Sequence, residues 1–376
     1  MKISIERAAL LRSLAHVQSV VERRNAIPIL SNVLIEASGA TLRLNTTDMD
    51  ISIVEGTEAA VAVAGATTTP VHTLHDIVRK LPDGAQVELA LEDDGGRLAL
   101  RAGRSSFRLS CLPREDFPAL EGEGLPHEFA MSAADLRTVI ERTRFAISTE
   151  ETRYYLNGIY WHAKEENGVQ LLRAVATDGH RLARLEMPLP EGAAGMPGVI
   201  VPRKTVNELH RLIAEAEASV QIGLSENKIR FSFGDIELTS KLIDGTFPDY
   251  ERVIPVGNDR AMTVATKLFR EAVDRVSTIS TEKSRAVKLM LGPGPSGGGL
   301  TLQATSPDAG SATEELEVAY ADESMEIGFN ARYLLDIATQ IEGEELKFEL
   351  ADSGSPTVIR DLADEASLYV LMPMRV

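Results

Sequence analysis

The chain has 376 residues, which is too long for one hydrophobic core and predicts roughly two to four domains. Hydrophobic residues make up 44% and charged residues 25%, as in typical globular proteins, so disorder and fibrous structure are excluded. The formal net charge of -17 disfavours simple electrostatic attraction to DNA or to anionic membranes, unless the basic residues are gathered on one surface.

Cys111 is the only cysteine of the sequence, which excludes intramolecular disulfides and a cysteine-based zinc site. The first residues are charged where a signal peptide would be apolar, and no apolar run approaches the roughly 20 residues of a membrane span. Short catalytic signatures such as a phosphate-binding loop are missing. We therefore expect a cytoplasmic protein without a cofactor or a metal.

Taken in chain order, three similar units of roughly 130 residues follow one another. Each begins with a short alternating strand, and an amphipathic helix follows it at 7–21, 133–145 and 266–276. A second helix is predicted in each unit, at 72–81, 203–217 and 330–341. The repeat predicts an N-terminal domain at 1–125, a central domain at 126–257 and a C-terminal domain at 258–376.

Stretches of period-two hydrophobicity lie between the helices and predict short antiparallel strands. The clearest are 41–53, 87–91, 220–222, 228–233 and 346–350. Each unit closes with a last strand and an apolar residue followed by proline, and the Gly- and Pro-rich stretch 292–299 is predicted to be a long hairpin loop. The fold class is therefore α+β, with two helices packed on antiparallel sheet in each of three repeats.

Basic residues recur on the solvent side of the predicted helices. The apolar stripe of one helix leaves out Arg137, and that of another leaves out Arg203, Lys204 and Arg211. For any single helix an ordinary solvated surface explains this pattern. Its recurrence in equivalent helices of an acidic chain favours the sorting of charge by surface.

The C-terminal segment 369–376, which reads Tyr-Val-Leu-Met-Pro-Met-Arg-Val, resembles the end of bacterial β sliding clamps, the processivity factors of DNA polymerase III. Further stretches resemble that family in the same order along the whole chain, at 153–158, 176–182, 201–204, 249–250 and 327–330. The resemblance implies three clamp-type domains, with two chains closing head to tail into a homodimeric ring around duplex DNA. It implies a non-catalytic protein that holds the polymerase III alpha subunit, the clamp loader and other replication and repair proteins through short peptide motifs.

A ring resolves the problem of the net charge, because retention by topology needs only weak, sequence-independent phosphate contacts inside the hole. The candidate DNA-binding residues are Arg24, Arg137, Tyr154, Tyr155, Arg203, Lys204 and Arg211. Stacking of bases on the two tyrosines is the physical route, and core packing is their alternative role. The neighbouring Glu150 and Glu151 argue against a strong contact there.

The resemblance also implies an apolar pocket for partner peptides. Its candidate residues are Leu156, Thr177, Gly179, His180, Arg181, Leu182, Pro248, Arg252, Val253, Asn330, Tyr333, Val370, Met372, Pro373, Met374 and Arg375. The unbranched methionines can repack around different peptides, which suits a surface with many partners. Gly354, Pro356 and Val376 depart from the family pattern, so the preference among partners is expected to be shifted.

Ring closure needs two different complementary surfaces on each chain. The candidate interface residues are Arg104, Phe107, Leu109, Ile279, Glu314 and Glu315. Phe107 and Leu109 share one face of a predicted edge strand, and the two glutamates lie on another. The alternative is that both strands are charge-protected edges that never meet.

Asp178 and His180 leave a second function open, an acidic multidomain hydrolase that uses them as an acid–base pair. The dipeptide Asp178-Gly179 is typical of a two-residue hairpin, and Thr47-Asp48 stands one repeat earlier. These two observations favour a structural role for Asp178 in a turn.

Overall fold

The computed structural model describes residues 1–93, 95–118, 124–214, 216, 219–280, 285–293 and 298–375. The α-helices are α1 (Arg7–Val17), α2 (Val71–Lys80), α3 (Ala133–Arg144), α4 (Arg203–Ile213), α5 (Thr266–Ser277) and α6 (Ala331–Ala338). The first strands are β1 (Lys2–Glu6), β2 (Asn32–Ser38), β3 (Thr41–Thr47), β4 (Ile51–Glu58), β5 (Ala60–Val63), β6 (Gly65–Pro70), β7 (Gln86–Leu91), β8 (Arg97–Ala102) and β9 (Ser105–Ser110). The next are β10 (His127–Ser132), β11 (Gly158–Glu166), β12 (Val169–Thr177), β13 (Arg181–Pro188), β14 (Val199–Pro202), β15 (Ser219–Leu224), β16 (Lys228–Phe233) and β17 (Ile236–Lys241). The last are β18 (Arg260–Ala265), β19 (Ala286–Gly292), β20 (Gly299–Ser306), β21 (Gly310–Glu317), β22 (Met325–Asn330), β23 (Glu345–Leu350), β24 (Thr357–Asp361) and β25 (Asp364–Leu371).

The chain divides into two compact units, one of residues 1–137, 190–197 and 204–242 and one of residues 138–189, 198–203 and 243–376. In the first unit the described strands form two sheets, in the orders β5-β1-β7-β8-β9 and β10-β15-β16-β17-β4-β3-β2-β6. In the second unit the orders are β14-β11-β12-β13-β25-β24-β23-β18 and β21-β20-β19-β22. Each eight-stranded sheet joins strands of two sequence repeats, through β17 and β4 in the first unit and β13 and β25 in the second.

The repeat predicted from the sequence is confirmed in its order of elements, because every α-helix named above directly follows a strand. The first helix is shorter than predicted: α1 ends at Val17 and continues as a 3-10 turn over Gln18–Val20. Valine and serine are poor helix formers, which accounts for the early end. Helix α4 ends at Ile213, and Glu217, its predicted last residue, lies outside the described residues.

The apolar stripes of the helices pack into the cores as predicted. Leu10, Leu14 and Val17 of α1 are fully buried, as are Leu136 and Ile140 of α3. Burial stabilises each such side chain by roughly 1.5 to 3 kcal/mol. The stripes thereby determine which helix faces, and which basic residues, point away from the cores.

Strands β19 and β20 pair up to Gly292 and Gly299, which confirms the hairpin predicted between them. Residues 294–297 of the predicted loop lie outside the described residues. In the part of the chain that the structure describes, no helix is long and apolar enough to cross a membrane.

Candidate functional site

The turn between β12 and β13 is built around the carboxylate of Asp178. Its Oδ1 accepts the backbone N–H groups of His180 at 2.9 Å and Arg181 at 3.0 Å. The Thr177 hydroxyl donates to the Arg181 carbonyl at 2.7 Å. The last paired residues are Thr177 and Leu182, so the turn is longer than the two-residue hairpin predicted from Asp-Gly. Asp178 is therefore a turn-forming residue.

The first repeat contains the same turn. Asp48 accepts the N–H groups of Asp50 and Ile51 at 2.9 and 2.8 Å. Met49 has φ 78°, close to the φ 87° of Gly179 at the matching position. This equivalence confirms the prediction that the repeat places turn chemistry at Asp178.

The structure does not support the alternative hydrolase. The hydrogen bond between His180 and Asp178 uses the backbone N–H of His180, and its ring stacks on Tyr333 at 6.2 Å between centroids. Among the described residues, no group of three or more His, Cys, Asp or Glu side chains could hold a metal ion.

The C-terminal tail lies directly against this turn. Strand β25 pairs with β13, with Leu371 opposite Arg181 and Val370 opposite Leu182. Beyond the strand, the Met372 N–H donates to the carbonyl of His180 at 2.9 Å. The Met374 N–H donates to the carbonyl of Gly328 at 2.7 Å, just before α6. The structure thus brings together three segments that are far apart in the sequence.

Several of the predicted pocket residues belong to one buried core cluster. Leu156, Leu182 and Val370 are at most 4% exposed and share this cluster with Phe247 and Tyr250. These three side chains support the surface from below and have little area left for a partner. Sequence reasoning did not place Phe247 and Tyr250 among the pocket residues. Phe247 could have been found there, because it is the apolar residue before proline that ends the repeat.

Other pocket residues remain accessible. Val253 is 52% exposed and Met372 is 39% exposed. Pro248 and Arg252 are exposed as well, and the Arg252 guanidinium binds Asp249 at 2.7 Å. The accessible part of the candidate pocket is therefore apolar with a charged margin.

Helix α6 contributes two of the predicted residues. The Asn330 side chain caps the helix by accepting the N–H groups of Arg332 at 3.0 Å and Tyr333 at 3.4 Å. Tyr333 is half-buried, and burial raises the pKa of its hydroxyl. Pro373 and Met374 are half-buried, and Arg375 is exposed. Asn330 thus has a local structural role that the sequence analysis did not assign to it.

Arg181 lies below this surface, with only 8% of its area exposed. Its guanidinium donates to Asp178 at 3.1 Å, to Asp336 at 2.5 Å and to the carbonyl of Phe145 at 2.6 Å. Sequence reasoning missed Asp336 and Phe145. Asp336 could have been identified from the sequence, because it lies three residues after Tyr333 and therefore on the same face of the helix.

Four of the candidate DNA-binding residues lie in the first compact unit, and three of them are bound by neighbours. Arg137 is half-buried and donates to the carbonyl of Ile213 at 3.0 Å, at the end of α4. Lys204 binds the carboxylate of Asp48. Arg211 binds Glu208 at 3.0 Å. Arg24 is exposed, in the loop that follows the 3-10 turn after α1.

The other candidates for DNA contact lie in the second unit. Arg203 is exposed at the start of α4, and Tyr154 is 53% exposed. Tyr155 is half-buried against the core cluster, with its ring edge-on to Tyr154 at 5.7 Å. Tyr155 is therefore partly a core residue, whereas Tyr154 is mostly accessible to solvent.

The acidic loop beside the tyrosines is partly neutralised. Arg153 binds both oxygens of Glu150, at 2.6 and 2.8 Å, and this hydrogen bonding lowers the pKa of Glu150. Glu151 stays exposed. The local negative charge is smaller than the sequence alone indicates.

Both predicted edge strands are edges of their sheets. On β9, Phe107 is 37% exposed and Leu109 is only 8% exposed, so Leu109 is already buried within its own chain. Arg104 is exposed in the turn before the strand. Of the pair predicted as apolar anchors, Phe107 alone keeps a substantial accessible area.

On β21, the candidate interface residues differ in their environment. Glu314 accepts from Arg275 at 3.1 Å, and this hydrogen bonding lowers its pKa. Glu315 is exposed, and Ile279 is half-buried just beyond α5. Glu315 is therefore the more accessible of the two glutamates.

Comparison with known proteins covers the whole chain. Family models of the DNA polymerase III beta subunit match its N-terminal domain at residues 1–121, its central domain at 130–249 and its C-terminal domain at 251–375. A β sliding clamp from Caulobacter vibrioides is 55% identical over 376 residues, with 100% of both chains covered.

Solved structures agree. A crystal structure of the Caulobacter crescentus β sliding clamp with bound polyethylene glycol has a TM-score of 0.97 at 55% identity, covering 100% of this chain and 99% of that one. A DNA polymerase III subunit beta from Bartonella birtlesii bound to griselimycin has a TM-score of 0.96 at 50% identity, covering 100% of both chains. The chain therefore belongs to the DNA polymerase III beta subunit family and is a sliding clamp of DNA replication, a processivity factor without catalytic activity of its own.

Proposed function

We propose that two copies of this chain close head to tail through β9 and β21 into a ring around duplex DNA. DNA contact is independent of sequence and involves the exposed residues Arg24, Tyr154 and Arg203. The ring holds the polymerase III alpha subunit, the clamp loader and other replication and repair proteins through short peptide motifs. The chain works in the cytoplasm, with domain boundaries near 125 and 258.

One observation carries the peptide-binding part of this proposal, the pairing of β13 with β25. It places the turn at 178–181 beside the C-terminal tail, around a core cluster that contains Leu156, Leu182 and Val370. Val253 and Met372 remain exposed there. A rigid support with a few accessible apolar side chains suits an extended peptide that inserts one or two apolar residues.

The test measures fluorescence anisotropy of a labelled polymerase-derived peptide with Val253→Ala and Met372→Ala. Each change should weaken binding by about tenfold, because truncation of a central apolar contact typically costs more than 1 kcal/mol. Val169→Ala is the matched control, since Val169 is 54% exposed against 52% for Val253. Equal affinities for all of these proteins would place the peptide site elsewhere.

Point variants are preferable to removal of the tail. A deletion from Met372 onwards would also remove the backbone hydrogen bonds to His180 and Gly328, and so would disturb the turn itself. The side-chain truncations leave those bonds in place. A loss of affinity then reports on the apolar contact alone.

The ring is tested by loading the protein onto closed circular DNA and then linearising half of the sample. Retention on circles with rapid loss from linear ends is expected, because topology and not adhesion holds the protein. Equal loss from both would contradict the ring.

A further inference from the structure

We infer that Asp336 is a positioning residue of the peptide site, which holds the Arg181 guanidinium against Tyr333 and so determines where the Tyr333 ring lies. This inference rests on the proposed peptide-binding function of the surface. Asp336 is 32% exposed in its side chain and belongs to none of the contacts proposed for the peptide.

The guanidinium of Arg181 is held in three directions. Nε donates to Asp178, Nη1 donates to Asp336 and Nη2 donates to the carbonyl of Phe145, at 3.1, 2.5 and 2.6 Å. A guanidinium is planar and its donors form a rigid fork, so three acceptors from separate segments determine both its position and its plane. Arg181 is thus fixed more firmly than a surface arginine.

That plane matters because two aromatic rings lie against it. The guanidinium carbon is 4.3 Å from the centroid of Tyr333 and 5.2 Å from that of Phe145. Both distances are within the range where a cation is attracted to a ring face. The Tyr333 ring also stacks on His180, whose carbonyl accepts the N–H of Met372. The position of Arg181 therefore affects the positions of the Tyr333 ring and of the turn at 178–181, both of which border the C-terminal tail.

Asp336 is the acceptor that connects the two sides of this arrangement. Asp178 belongs to the same turn as Arg181 and already accepts two backbone N–H groups. Asp336 lies on α6, one helical turn after Tyr333, so its bond to Arg181 ties α6 to the turn. Arg332 is 4.0 Å from the same oxygen, which is a longer contact than the one to Arg181.

Replacement of Asp336 by asparagine keeps the size of the side chain and removes the charge. The hydrogen bond to Arg181 becomes neutral on the acceptor side and loses much of its strength. Arg181 and Tyr333 then occupy additional positions, and only a fraction of the protein presents the surface that the peptide needs. We expect peptide affinity to fall by about tenfold while the dimer remains.

The experiment compares Asp336→Asn, Asp336→Glu and the control Asp76→Asn in the full chain. Asp76 also lies on a helix, is 38% exposed in its side chain and pairs with an arginine, Arg79, at 3.6 Å. Peptide affinity is measured by anisotropy and dimer mass by light scattering. Incorporation of 3-fluorotyrosine, with the Tyr333 signal assigned by Tyr333→Phe, reports the environment of that ring by fluorine NMR. Asp336→Asn should shift this signal, and Asp76→Asn should not.

The outcomes separate this inference from the proposed site. If Met372→Ala weakens binding while Asp336→Asn binds like the unchanged protein with an unmoved Tyr333 signal, the positioning role is wrong and the site stands. If neither Met372→Ala nor Val253→Ala weakens binding, the site itself fails. Should Asp336→Asn prevent folding, Asp336→Glu decides, because it keeps the charge. It is expected to bind within about threefold of the unchanged protein, and a larger loss with an unmoved Tyr333 signal would overturn the inference.

Discussion

The exposed phenyl side chain of Phe107 provides a quantitative test of head-to-tail dimer formation. Phe107 lies on β9, an edge strand, and keeps 37% of its area exposed in the single chain. Phe107→Ala should therefore weaken the association of two chains and leave the folding of each chain nearly unchanged. Leu109→Ala should do the reverse, because Leu109 is 8% exposed and is already part of its own core.

The size of the effect follows from the area that remains to be buried. Complete burial of a phenylalanine stabilises by about 3 kcal/mol, so the exposed third of Phe107 contributes about 1 kcal/mol to one interface. A head-to-tail ring of two chains contains two such interfaces, and their loss amounts to about 2 kcal/mol. The dissociation constant of the dimer should rise roughly 30-fold. Truncation of the buried Leu109 should instead cost about 2 to 5 kcal/mol of the free energy of unfolding.

The assay is light scattering over a series of protein concentrations, combined with thermal unfolding of each variant. Val63→Ala is the control, because Val63 is 53% exposed on β5, the opposite edge of the same sheet. An unchanged dissociation constant for Phe107→Ala, or an equal rise for Val63→Ala, would refute the placement of the interface at β9.

Two further predictions concern charge and pH. Arg203→Ala should reduce the slope of DNA affinity against salt concentration more than Lys204→Ala does, because Asp48 already neutralises Lys204. The measurement is DNA binding at several salt concentrations, and equal slopes for the two variants would contradict the prediction. Burial raises the pKa of Tyr369 from 10.0 to about 12, so the folded chain holds this proton more tightly than the unfolded chain. The resulting stability is complete below pH 10 and should be lost, by roughly 2 to 3 kcal/mol, as the pH rises towards 12. In urea unfolding, Tyr369→Phe should lack this part of the decline, and identical pH profiles would disprove the assignment.

Features with a local cause could be predicted from the sequence. Leu10, Leu14 and Val17 recur with the period of a helix, so the buried face of α1 could be predicted from the sequence. The role of Asp178 was readable too, because its hydrogen bonds reach only two and three residues along the chain. The sequence also contained the three-fold repeat and the family motifs, since both are patterns of residues in order.

The tertiary structure alone decided which distant residues meet. Arg181 donates a hydrogen bond to Asp336, 155 positions away in the sequence, and Lys204 donates one to Asp48, 156 positions away. Such pairs depend on which strands lie side by side in a sheet, β13 beside β25 in one unit and β17 beside β4 in the other, and no local period encodes that order. The same reason explains why Leu109 and Phe107, two residues apart on one strand face, differ in exposure: burial depends on what packs against each position, which is a property of the folded chain and not of the strand.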